Sequence, residues 1–225
     1  MRLSHLIVLI VGALLMPIQS DAANDDSIDS LMVVLRESEG SNKADAGLVP
    51  TGPAKAVLAD GKEVELSFAW FEFIGDMHVR FAYDSPDSMR NLSRQEFEAL
   101  KLTPQEAVQL AVRNIHRVYG KPTFEPWSEG VMVVEGQSPD LNSSYFLDEQ
   151  FWKQLLTSHP EGLVVAVPKR GGLLFARVSD RKAVENLRKG IGYLFTSSDN
   201  LRVSSALYLY KGGRWSVMQP PVKTQ

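Results

Sequence analysis

The sequence predicts an α+β fold: a mixed, largely antiparallel sheet with hairpins, three main helices and a short N-terminal helix. Three observations carry this. Seven or eight strand-like runs are interleaved as hairpins rather than alternating strictly with helices. Helical periodicity is confined to a few segments, most with a start signal written out. The 225 residues are 44% hydrophobic and 23% charged with a net charge of −3, which suits one globular domain and is too apolar for a disordered chain. The absence of cysteine excludes disulfides, thiolate nucleophiles, zinc–thiolate sites and iron–sulfur clusters. Near-neutral charge gives no global reason to expect nucleic acid as a partner.

Met1–Ala22 reads as a secretory signal peptide. Arg2 supplies the positive n-region, Leu6–Met16 is an apolar run of 11 residues, and Ser20-Asp21-Ala22 offers a cleavage site before Ala23. The run is well short of the roughly 20 residues a spanning helix needs; the competing reading is a retained N-terminal anchor. Export without disulfides fits a bacterial envelope, so the expected location is periplasmic or secreted.

Ile28, Leu31, Met32 and Leu35 fall at helical spacing, which predicts a short amphipathic helix over 27–36. Glu39–Lys55, with three glycines and two prolines, predicts a flexible linker. On this reading 23–54 is an appendage, 55–219 is the single α+β domain, and 220–225 is a tail.

Val64–Ile74 and Met77–Tyr83 read as two strands joined by a two-residue Gly75-Asp76 turn. That turn pairs Glu72 with Val79 and Trp70 with Phe81. It places Trp70 and Glu72 on the apolar face, and Phe71, His78 and Arg80 on the mixed one. Ser93-Arg94-Gln95-Glu96 and Thr103-Pro104-Gln105-Glu106 are capping boxes. The second opens a helix to about Tyr119, with Ala107, Ala111, Ile115 and Val118 as its buried stripe. His116 falls on the opposite side with Gln109 and Arg113. Thr123–Trp127 and Val131–Glu135 are short strand candidates, and Gly136–Ser143 a loop. Asp148 caps a helix presenting Phe151, Trp152, Leu155 and Leu156. Leu163–Pro168 is a continuous apolar run, predicting an interior strand covered on both faces. Leu173–Val178 continues the sheet, Ser179 or Asp180 caps a helix to about Thr196, and Val203–Tyr210 with Trp215–Met218 close the chain as a hairpin.

The chemistry on offer is thin. His78, His116 and His159 share no metal-ligand spacing and read as surface histidines, so no metal or cofactor is expected. Ser128, Ser143 and Ser144 lack a nucleophile elbow. Glu72 is the one charge on the apolar hairpin face. Burial would raise its pKa, so Glu72, together with Asp76, Asp84 or Asp140, is a candidate acid–base pair. Lys169-Arg170-Gly171-Gly172 follows the buried strand and could offer backbone N–H groups and a guanidinium to an anion. It opens a segment, 169–189, with seven basic and two acidic residues, whose plainer reading is a hairpin turn and a solvated helix face. Asn114 lies beside the buried stripe of its helix and reads as a structural amide bonded to a neighbouring loop, such as Gly136–Ser143.

From about Asp76 to Met218 the order of elements resembles the YtpQ-like group of bacterial proteins, the domain of unknown function 1444. Four stretches carry the resemblance: Ala111-Val112-Arg113-Asn114-Ile115, Asp140–Trp152, Gly162–Phe175 and Val203–Met218. It implies a layout and no activity. This chain departs from it in having Gly171 where members tend to carry an acid, and in its export leader. Together these readings predict a non-catalytic envelope protein that binds a partner protein or an anionic envelope component. The alternatives are a carboxylate-dependent hydrolase or lyase, and an anion-binding module centred on Arg170.

Overall fold

The computed structural model describes residues 27–57, 61–86 and 88–222; the leader read over Met1–Ala22 lies outside them. The α+β fold is observed. After a single 3-10 turn at Ile28–Ser30, the strands are β1 (Leu31–Glu37), β2 (Val49–Pro50), β3 (Ala54–Val57), β4 (Glu63–Leu66), β5 (Trp70–Glu72), β6 (Met77–Ser85) and β7 (Ser88–Asn91). Helices α1 (Arg94–Ala99) and α2 (Pro104–Tyr119) follow, then β8 (Thr123–Ser128) and β9 (Val131–Glu135). A 3-10 segment, Pro139–Leu147, leads into α3 (Glu149–Ser158). The chain ends with β10 (Leu163–Lys169), β11 (Gly172–Arg177), α4 (Arg181–Thr196), β12 (Leu207–Lys211) and β13 (Arg214–Gln219).

Two antiparallel sheets organise these elements. The first runs β1-β6-β5-β2, with β7 also on β6; the second runs β13-β12-β10-β11-β9-β8; β3 and β4 form a separate ribbon. Strand β10 is interior, as its apolar run predicts. Val164 and Ala166 pack with Ala183, Leu187 and Ile191 of α4 on one side. Leu163, Val165 and Val167 join the main core with Trp152, Phe146 and Tyr208 on the other. Both capping boxes form as read, Ser93 with Glu96 and Thr103 with Glu106, and Asp148 and Asp180 cap α3 and α4.

Several expectations are corrected. Residues 31–37 form a strand, not a helix: Leu31–Leu35 are all buried, on both faces, and pair with β6. Two adjacent valines in an unbroken apolar run favour the extended chain, and tertiary pairing overrides the 3.6-residue spacing. The compact unit therefore begins by Leu31 rather than near Lys55. The 39–55 stretch is tied down too, by a Lys43–Gly75 bridge and by β2 on β5. In α2 the buried side turns toward Val108, Val112 and Asn114, and Val118 is exposed. The 136–143 loop is mostly 3-10 helix, and Leu141–Phe146 are buried.

The hairpin register is shifted by one residue. Phe73 N–H donates to Met77 O at 2.9 Å, so the loop is Ile74-Gly75-Asp76, three residues rather than two. Trp70 faces Arg80, Phe71 faces Val79 and Glu72 faces His78. A one-residue slip exchanges the two faces of β5 relative to β6. Phe71 and Val79 are core, while Trp70, Glu72, His78 and Arg80 share the other face. Asp76, at the loop's end, is buried. Its carboxylate accepts hydrogen bonds from Ser204 Oγ, Tyr208 OH (3.2 Å) and Ser205 N–H (3.2 Å), joining the first sheet to the approach to β12.

Candidate functional site

The outer face of this hairpin carries the less expected chemistry. Residues paired across antiparallel strands point to the same side. Arg36 on β1 faces His78 on β6, which faces Glu72 on β5; one row along, Val34, Arg80 and Trp70 line up in the same way. The Arg80 guanidinium lies 3.9 Å over the Trp70 ring, and Trp70 stacks on Phe68 at 4.7 Å. Arg80 Nε–H donates to His78 Nε2 at 2.7 Å, and the imidazole also bonds to the Glu37 backbone. That nitrogen must therefore be unprotonated. Burial, reinforced by the charges of Arg80 and Arg36, holds the His78 pKa down at about 3. His78 is thus a buried neutral imidazole, not a surface histidine.

Arg170 comes to the same place from the second sheet. Burial first, then the charges of Arg170 and Arg80, lower the Arg36 pKa to about 10, with Asp140 pulling weakly the other way. Burial and Arg170 lower that of Arg80. Among the described residues, no carboxylate lies within 4.0 Å of any of these three guanidiniums. Arg170 Nε, Arg202 Nε and Trp70 Nε1 are buried without a hydrogen-bond partner. Like charges held together, half-buried and unneutralised, are unfavourable unless something anionic joins them.

The 169–172 turn meets part of its expectation. Arg170 contributes its guanidinium, but its N–H donates to Leu201 O at 2.9 Å, and its carbonyl accepts from Ser143 N–H at 3.0 Å. That amide is occupied by the fold and unavailable to a ligand. Gly171 packs close against Pro139, where a Cβ would lie 3.1 Å from the carbonyl. Lys169 is exposed and bridges Arg202, and Gly172 starts β11. The other basic residues of 169–189 divide off: Arg188 and Lys189 pair with Glu185 on α4, and Lys182 with Glu129.

The carboxylate pair is not assembled as read. Glu72 is half-buried on the arginine face, not the apolar one, and Asp140 is exposed at the start of the 3-10 segment. Asp84 accepts from Tyr119 OH at 2.6 Å, and Asp76 is engaged by Ser204, Ser205 and Tyr208. The acids that influence each other are instead Glu37 and Asp76. Burial raises both pKa values, and the Asp76 charge raises that of Glu37 further. Asn114 is a structural amide, but its partners differ from those expected. Its Nδ2 donates to Ile28 O and Leu31 O, both at 2.9 Å, fastening α2 to the start of β1 rather than to 136–143.

A second place was not foreseen. The side of α2 read as solvent-facing walls an open cleft of about 510 Å³ against the start of α3. His116 Nε2 meets Asp148 Oδ2 at 2.7 Å, while Asp148 Oδ1 caps α3 by accepting from Phe151 N–H at 3.0 Å. Asp148 is 3% exposed and His116 18%, so His116 too is no lone surface histidine. The cleft floor is apolar, with Phe73, Phe146 and Trp215; Phe146 and Trp215 stack at 4.0 Å. His159 sits apart, at the C-cap of α3.

Among the described residues, no group of three or more His, Cys, Asp or Glu could hold a metal ion, and no helix is long and apolar enough to cross a membrane. No protein-family model matches the chain, and neither a curated protein nor a solved structure matches it.

Proposed function

We propose that the protein is an exported, non-catalytic binding protein that recognises an anionic group of an envelope component through Arg36, Arg80 and Arg170. The supporting observation is the convergence of three guanidiniums from distant parts of the chain with no carboxylate of the described residues within ion-pair distance. A guanidinium presents a planar fork of donors that matches phosphate or carboxylate bidentately, and the unpartnered Arg170 Nε is one such donor. Trp70 holds Arg80 from one side and so reduces the rotamer freedom lost on binding. The leader read over Met1–Ala22 supports the envelope as the place of action. The YtpQ-like layout read over residues 76–218 belongs to this proposal as a likeness of architecture.

The test uses pyrophosphate as the probe. Calorimetric titration at low salt should give a saturable complex that weakens at least ten-fold in Arg170→Met or Arg36→Gln and weakens as salt rises. The same variants should melt no lower than the parent without the probe, because each removes one of three mutually repelling charges. A melting temperature lowered by Arg170→Met, with the titration unchanged, would mark the cluster as scaffolding and end this reading.

A further inference from the structure

We propose that the cleft between α2 and α3 is a second binding site, which takes a small uncharged molecule with a flat apolar body and a hydroxyl or amide hydrogen-bond donor. It shares no residue with the arginine cluster and does not depend on it. The volume of about 510 Å³ falls within the range of pockets that hold single organic ligands.

The lining specifies the chemistry. Phe73, Phe146 and Trp215 give an aromatic floor and Val108 and Val112 an aliphatic wall, which suits a planar apolar body. The formal charges in the wall balance, Asp148 and Glu149 against Arg113 and Lys153. Glu149 already pairs with Lys153 at 2.7 Å, and Asp148 with His116. With the wall balanced overall, an ionised ligand gains no net attraction from it, whereas an uncharged one leaves both pairs intact.

His116 supplies the polar specificity. A proton on Nε2 is what the Asp148 carboxylate accepts, and the neutral form of such a ring offers Nδ1 as an acceptor. Asp148 is itself fixed by the α3 cap, and the His116 ring lies against Tyr145, 6.2 Å between centroids. The acceptor is thus preorganised, and a donor on the ligand is what it lacks. Gln105, Gln109 and Gln150 at the rim can serve further hydroxyl or amide groups.

The probes are 2-naphthol, 2-methoxynaphthalene, which lacks the donor, and 2-naphthoate, which carries a charge. Nitrogen-detected NMR of the histidine rings and the Trp215 indole should show 2-naphthol shifting His116 and Trp215. It should bind at least ten-fold more tightly than either relative. His116→Gln should abolish the preference for naphthol over the methyl ether without preventing folding. Ala46→Trp, a change in the loop wall of the cleft, should abolish binding of all three probes. No shift at His116 or Trp215 up to millimolar 2-naphthol, equal binding of the three probes, or binding undisturbed by Ala46→Trp would each overturn the proposal.

Discussion

His78 shows how one residue's surroundings decide its chemistry. An exposed histidine titrates near 6.5, but this ring is buried, with the charges of Arg80 and Arg36 beside it, so its pKa falls to about 3. The folded value lies below the unfolded one. The stability that comes with the neutral ring is therefore fully present above pH 6.5 and is lost as pH falls toward 3, by up to about 1.4 kcal/mol for each unit. Urea unfolding across pH 3–7 should show this upward slope with pH, and His78→Gln, which keeps an acceptor for Arg80, should flatten it. A variant with the parent's slope would place the titrating group elsewhere. This burial was not legible in the sequence: His78 falls on the outer face of its strand in either register, and the side chains that cover it, Arg36 and Arg80 among them, gather only in the folded sheet.

At the scale of elements, the Ile74-Gly75-Asp76 loop controls the most. Its third residue sets the register, and the register exchanges the core and outer faces of β5 relative to β6. Gly75 has a φ of +65°, and a Cβ there would lie 2.9 Å from Tyr208 Cε1. Gly75→Ala should therefore destabilise the fold by about 2–3 kcal/mol, combining left-handed strain with displacement of the Tyr208 ring; equilibrium unfolding reads this directly. Elements whose cause is local were legible in the sequence. The capping boxes, the Asp148 and Asp180 caps and the apolar run of β10 all stand where they were read, since a cap depends on residues three apart. What depends on distant partners was not legible. Residues 27–36 satisfy a helical spacing, yet from Leu31 on they are held as a strand by pairing with β6, some forty to fifty residues on. Arg36, Arg80 and Arg170 are far apart in the sequence and become neighbours only once both sheets exist. The same holds for His116 and Asp148, on opposite sides of a cleft.

At the scale of the whole molecule, Asp76 joins the two sheets, and its charge opposes the join. The residue is 4% exposed, and burial raises its carboxyl pKa despite the bonds from Ser204, Ser205 and Tyr208. Here the folded value lies above the unfolded one, the reverse of His78. The clamp's contribution is fully present below the ordinary carboxylate pKa near 3.8 and declines as pH rises through the folded value. Glu37, whose pKa burial and the Asp76 charge raise, adds to the same decline. The two trends therefore cross in mildly acidic solution, one rising with pH and one falling, and the parent's unfolding free energy should vary less there than either variant's. Asp76→Asn removes the falling component and relieves Glu37. Its stability should be lower than the parent's at pH 3–4, because an amide N–H would face the Ser205 N–H donor, and the gap should narrow as pH rises to 7. A gap that stayed constant or widened with pH would show that Asp76 is not held against its own ionisation. The link between the sheets would then owe nothing to its protonation state.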